Sequence, residues 1–163
     1  EINHSIRSFL ECRELKNCKL TVIFRPPKIK NEKISEFLKL IKSTNRIKII
    51  SKEFISNELL NKLFCESHVC ILPYLWGTHS GQIELCKDTG CYPVISNVGF
   101  YKEQSKNTVI FKYNKNMDIF SKNFIKACFK AYKKPFIKIP TTKRQKEFDK
   151  IIKDHLRVYN EVI

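Results

Sequence analysis

The hydrophobic and polar positions of this chain change period again and again. Ile2, Ile6, Phe9 and Leu10 recur at helical spacing, so the chain opens on an amphipathic helix. Lys19 to Phe24 is a short β-rich run stopped by Pro26 and Pro27. Asn31 then caps a helix with Ile34, Phe37, Leu38 and Ile41 on its apolar face. Ile47 to Ile50 reads as the next strand, and Ser56 caps a helix that turns Leu59, Leu60, Leu63 and Phe64 inward. His68 to Tyr74 is almost continuously apolar, as a strand covered on both faces is.

The alternation continues to the end. Gly81 to Lys87 reads as a helix that stops at Gly90, Tyr92 to Ser96 as a strand, Asn97 to Gly99 as a turn, and Val109 to Phe111 as a short last strand. Asp118 is the expected cap of a helix carrying Ile125, Cys128, Phe129 and Tyr132. After a connector from Pro135 to Pro140, Thr142 and Gln145 form a capping box. The C-terminal helix, 141–163, then carries the stripe Phe148, Ile151, Ile152, His155, Leu156 and Tyr159, with His155 expected as a packed residue. Strand and helix in alternation predict one α/β domain over residues 1–163: a Rossmann-like, mainly parallel sheet flanked by helices.

Composition narrows the class. No apolar run approaches the ~20 residues of a membrane helix. The polar N-terminus is not a signal peptide and lacks an initiator Met, which reads as a trimmed N-terminus. Seven cysteines, an odd number with no C-x-x-C pair, are expected to be buried and reduced, which implies a cytoplasmic chain. No metal-ligand spacing and no D-x-D pair occurs. The net charge of +15 favours phosphorylated ligands, nucleic acid or an anionic membrane surface. There is no long basic run and no RNP-like or zinc-finger pattern, so nucleic acid is not the expected partner.

The chain has four glycines, and all lie between Gly77 and Gly99, in a window that holds two expected strand ends. Ligands of open α/β sheets bind at such ends. The helix starting near Ser80-Gly81 offers unpaired N–H groups and a dipole that favours negative charge. Gly77 and Gly81 leave room for an anion, and Thr78, His79 and Ser80 add polar groups, which suits a phosphate or diphosphate. Glu84, one turn on, suits a pair of vicinal hydroxyls, because an ionised carboxylate only accepts hydrogen bonds. Phosphate and diol together describe a nucleotide. The alternative is that the glycines are plain turn residues and Glu84 is a surface residue.

The run Ser56 to Gln104 resembles the C-terminal, donor-binding domain of retaining, family-4-type GT-B glycosyltransferases. The matching pieces are SNELLNKLFCESHVCILPY, LWGTHSGQIELC, KDTGCYPVIS and NVGFYKEQ. The resemblance implies half of a GT-B fold that binds a nucleoside-diphosphate sugar. It implies no cofactor, with retaining transfer to an acceptor hydroxyl of a glycan or lipid-linked sugar in polysaccharide biosynthesis. Glu84 matches the second Glu of the family's E-x7-E signature, which holds the ribose. Trp76 stands where the first Glu would be; it cannot accept the sugar's hydrogen bonds but could stack on a sugar face, with Thr78 or His79 the candidates to substitute for the missing Glu. The binding residues are then Trp76, Gly77, Thr78, His79, Ser80, Gly81 and Glu84, with His79 the candidate catalytic group. Phe54 follows the strand Ile47 to Ile50, where the family holds the base; the alternative for Phe54 is a hydrophobic staple on the next helix.

The family's N-terminal domain and first donor-domain strand have no counterpart here. Without that central strand, Leu20–Phe24 and Val69–Pro73 are expected to lack their common neighbour, and the chain alone is expected to be inactive. Arg25, Lys28 and Lys30 follow a strand end and could lend charge to a phosphate. The charge also allows peripheral contact of the intact enzyme with a membrane. Two other classes remain open: a non-catalytic Rossmann-like binding module and a basic nucleic-acid-binding domain.

Overall fold

The computed structural model describes residues 2–29, 31–104, 107–135 and 140–162. Strands and helices alternate over them: α1 (Ile2–Glu11), β1 (Leu20–Phe24), α2 (Glu32–Lys42), β2 (Ile47–Ser51), α3 (Asn57–Cys65), β3 (Val69–Leu72), α4 (Gly81–Thr89), β4 (Tyr92–Ser96), α5 (Tyr101–Gln104), β5 (Val109–Phe111), α6 (Met117–Tyr132) and α7 (Thr141–Val162). The fold is α/β, with parallel sheets flanked by helices. Short polar side chains start the helices by accepting the first free N–H groups. The Asn31 side chain accepts from the Ile34 amide at 3.0 Å, and Ser56 Oγ from the Leu59 amide at 3.3 Å.

Two expected caps differ. Asn116, not Asp118, caps α6: its Oδ1 accepts from the Asp118 and Ile119 amides at 3.0 and 3.1 Å. Asp118 lies in the first turn, where its charge suits the helix dipole. α7 already begins at Thr141, so Thr142 is inside the helix, and Gln145 donates forward to Asp149 at 2.9 Å instead of closing a capping box.

The strands form two parallel sheets, β1-β2 and β3-β4-β5. Val22 stands opposite Ile49, Ile71 opposite Val94, and Val94 opposite Val109. β1 and β3 share no ladder, as expected for strands that lack a common neighbour. Their burial follows from this. β4 is paired on both sides and buried throughout, whereas all of β1 and most of β3 are only half-buried despite apolar sequences. Helices join the two sheets. Ile6 of α1 packs with Ile41 and Ile47, while Ser8 Oγ of α1 lies 2.7 Å from Ser121 Oγ of α6.

The largest core sits between β4, β5 and α6, where Val94, Phe111, Phe120 and Phe124 are buried together. Phe120 and Phe124 stack at 5.7 Å, and Phe111 meets Phe120 edge-on at 5.6 Å. A second cluster of Leu72, Ile83, Ile95 and Tyr101 lies under the carboxyl ends of β3 and β4.

The C-terminal stripe does not pack as expected. Phe148, Ile151, Ile152, Leu156 and Tyr159 are exposed, Tyr159 at 63%. His155 is also exposed, its Nδ1 2.8 Å from the Ile151 carbonyl of its own helix. Tyr132 of α6 is exposed as well. A period of 3.6 marks which side of a helix is apolar, not whether a neighbour covers it. The cysteines are also less uniform than expected: Cys86, Cys91 and Cys128 are buried, Cys12, Cys18 and Cys70 partly so, and Cys65 is exposed. Within the Pro135–Pro140 connector, residues 136–139 lie outside the described residues, as does Lys30. Among the described residues no helix is long and apolar enough to cross a membrane.

Candidate functional site

Parallel strands β3 and β4 deliver two loops to the same edge of their sheet. The loop after β3 runs to Ser80, where α4 begins; the loop after β4 leads into α5. The loops are stitched together. Ser96 Oγ donates to the Tyr74 carbonyl, and the Phe100 amide donates to the Thr78 carbonyl at 3.2 Å. Gly77 has φ +134° and Gly99 φ +55°, both in the region that favours glycine. A Cβ on Gly77 would fall on the Tyr101 hydroxyl, and one on Gly99 would fall on the Gly77 carbonyl. These two glycines therefore let one loop lie on the other. Gly81 differs: no heavy atom lies within 4 Å of where its Cβ would stand. Room for an anion at the backbone is found at Gly81 and not at Gly77.

Between the loops is a cleft of about 340 Å³ lined by Tyr74, Leu75, Trp76, Gly77, His79, Ser80 and Tyr101. Tyr101 is buried beneath it and donates its hydroxyl to the Trp76 carbonyl at 3.3 Å. Burial, and then the neighbouring Tyr74, push the Tyr101 hydroxyl pKa up, so it stays a donor. The Trp76 backbone is thus pinned while its side chain is 85% exposed. His79 is exposed and stacks on Phe100 at 6.5 Å.

Ser80 caps α4, its Oγ accepting from the Gln82 amide at 3.3 Å and lying 3.2 Å from the Tyr74 hydroxyl. The Ser80 amide donates to Gln104 Oε1 at 3.0 Å, and Gln104 Nε2 donates to the Ser80 carbonyl at 2.8 Å. The same Nε2 lies 3.4 Å from Glu84 Oε1. Gln104 therefore ties the end of α5 to the start of α4 and to the carboxylate one turn along. Glu84 Oε2 lies 3.7 Å from Nη2 of Arg144, which α7 brings in.

Trp76, Gly77, His79 and Ser80 thus meet in one cleft, and Glu84 adjoins it through Gln104. Thr78 is exposed and contributes its carbonyl to the loop contact. Phe54, Arg25 and Lys28 follow strands of the other sheet and do not line the cleft. Phe54 is 78% exposed, which excludes the staple reading. Among the described residues no group of three or more His, Cys, Asp or Glu could hold a metal ion.

Tyr101, Gln104 and Arg144 are the supporting residues that pattern reading leaves without roles. The first two had a signal, since they follow the glycine turn. Arg144 had none, because its α4 partners Glu84 and Asp88 lie far away in sequence and only the fold brings them together.

No protein-family model matches the sequence, and no curated protein does. Among solved structures, an α,α-trehalose-phosphate synthase (UDP-forming) from Burkholderia xenovorans, in complex with glucose-6-phosphate, is similar in fold. The TM-score is 0.57 at 14% identity, over 82% of this chain and 32% of that one. This chain spans about a third of that enzyme's length. The shared feature is the α/β architecture, parallel sheets flanked by helices, which this chain has in common with part of that enzyme.

Proposed function

We propose that this chain is the nucleotide-sugar-binding half of a GT-B glycosyltransferase, and that its cleft takes a nucleoside diphosphate sugar. The observation that carries the reading is the relation of Glu84 to the start of α4. The open backbone at Gly81 and the carboxylate at Glu84 lie one turn apart on the helix that borders the cleft. The positive end of α4, at the Gly81 amide, would face the diphosphate, and Glu84 would accept from the ribose hydroxyls. Trp76 would cover one face of the sugar. UDP is the first nucleotide to try, because the structurally similar synthase is UDP-forming.

In this reading the reaction is retaining transfer of the sugar to an acceptor hydroxyl of a glycan or lipid-linked sugar. The bond between anomeric carbon and diphosphate oxygen breaks, and negative charge grows on the leaving oxygen. The positive end of α4 would stabilise that charge more in the transition state than in the ground state. His79 would donate to the phosphate or to a sugar hydroxyl. The open edges of β1 and β3 would receive a strand from polypeptide outside these residues, and an N-terminal domain would carry the acceptor.

The four glycines give a direct test, because their amide signals are few and easily assigned. Titration of UDP followed by amide NMR should move Gly81 and Gln82 far more than Gly90. Movement spread evenly over lysine-rich helix faces, with Gly81 still, would overturn the reading.

A further inference from the structure

We infer that Arg144 of α7 is a positioning residue that sets the Glu84 carboxylate for ribose recognition. The inference rests on the nucleotide-sugar reading of the cleft. Glu84 and Asp88 stand one turn apart on α4, so they share a face and their charges repel. The Arg144 guanidinium lies between them. Its Nε is 2.5 Å from Asp88 Oδ1, its Nη2 donates to Asp88 Oδ2 at 3.1 Å, and the same Nη2 is 3.7 Å from Glu84 Oε2. Glu147, one turn further along α7, holds the other edge of the guanidinium by accepting from Nη1 at 2.8 Å, and Lys87 Nζ lies 3.4 Å from the same oxygen.

The unequal distances matter. Arg144 lies closest to Asp88, through one hydrogen bond and one ion-pair contact, and Glu84 receives the looser approach. On the other side Gln104 Nε2 stands 3.4 Å from Glu84 Oε1. Each Glu84 oxygen therefore has one fixed neighbour. An ionised carboxylate has about four acceptor positions. With one on each oxygen facing Gln104 or Arg144, about two remain for a vicinal diol. Without Arg144 the repulsion from Asp88 is uncompensated, and the Glu84 side chain is free to turn toward solvent. Lysine at this position keeps the charge but has a single nitrogen to divide between Asp88 and Glu84.

The readout is discrimination between UDP and 2′,3′-dideoxy-UDP, titrated calorimetrically into wild type, Arg144→Ala, Arg144→Lys and Glu84→Gln, each checked for folding by circular dichroism. Wild type should prefer UDP, and Glu84→Gln should abolish the preference. Arg144→Ala should lower the preference about three- to five-fold, as loss of a partly exposed ion pair would, without changing the affinity for the dideoxy nucleotide. Arg144→Lys should fall between. An unchanged preference in Arg144→Ala, or an equal loss for both nucleotides, overturns the role of Arg144 while leaving the site reading intact. No preference in wild type overturns both.

Discussion

The Tyr101 hydroxyl occupies the space that a side chain on Gly77 would need, and donates to the neighbouring Trp76 carbonyl at 3.3 Å. This relationship fixes the floor of the cleft and separates two kinds of glycine within one loop. Gly77→Ala combines a positive φ with a collision, and should cost about 2–4 kcal/mol in urea denaturation. Gly81→Ala adds a methyl to open space at the first residue of a helix. It should leave stability unchanged or raise it by up to about 1 kcal/mol. Equal losses at both positions would contradict the loop contact.

The aromatic side chains of α6 and α7 should behave in opposite ways. Phe124 is fully buried, and Phe124→Ala should cost about 3–5 kcal/mol. Phe148 is 57% exposed, and Phe148→Ser should change stability by no more than about 0.5 kcal/mol. A large loss from Phe148→Ser would mean that the α7 stripe packs on the body of this chain in solution.

The ion pairs between α7 and α4 carry a pH signature. The Arg144 hydrogen bond, with Lys87 adding to it, holds the Glu147 carboxyl below its ordinary 4.5. Because the native value is depressed, the stabilisation is fully present above pH 4.5 and is lost as pH falls through the native value. An NMR titration of the Glu147 side chain should give a midpoint below 4.5 in wild type, moving up toward it in Arg144→Ala. A wild-type midpoint of 4.5 would mean that the contact does not persist in solution.

Thiol reactivity should follow burial. Cys65 is exposed, whereas burial, with Cys12 adding to it, pushes the Cys128 thiol up to about 12. Hydrogen bonds with Cys70 and Cys91, together with burial, push the buried Cys86 thiol up as well. A disulfide reagent at neutral pH should label Cys65 in the native protein and reach Cys86 and Cys128 only after unfolding. Rapid native labelling of Cys128 would contradict the core around α6.

Much of the fold was legible because its signals are local. Asn31 and Ser56 announce their helices by side-chain geometry within a few residues, and the runs around Val69 and Tyr92 announce strands by their apolar continuity. The split between β1 and β3 was legible through the resemblance, which implies a strand between them. Other features depend on distant partners. Neither the exposure of the α7 stripe nor the approach of Arg144 to Glu84 can be read from spacing, since neighbours are set by the folded arrangement. The glycine cluster was half legible: its place near two strand ends was readable, but the packing of Tyr101 beneath Gly77 depends on how the two loops fold together.

The most direct test of the central claim is a calorimetric titration of UDP, GDP and ADP into the wild-type chain and Glu84→Ala at moderate salt. The expected result is saturable binding of one nucleotide that weakens by roughly 1–3 kcal/mol when the carboxylate is removed. Equal, strongly salt-sensitive binding of all three nucleotides by both proteins would contradict it, and would assign the binding to the +15 charge of the surface.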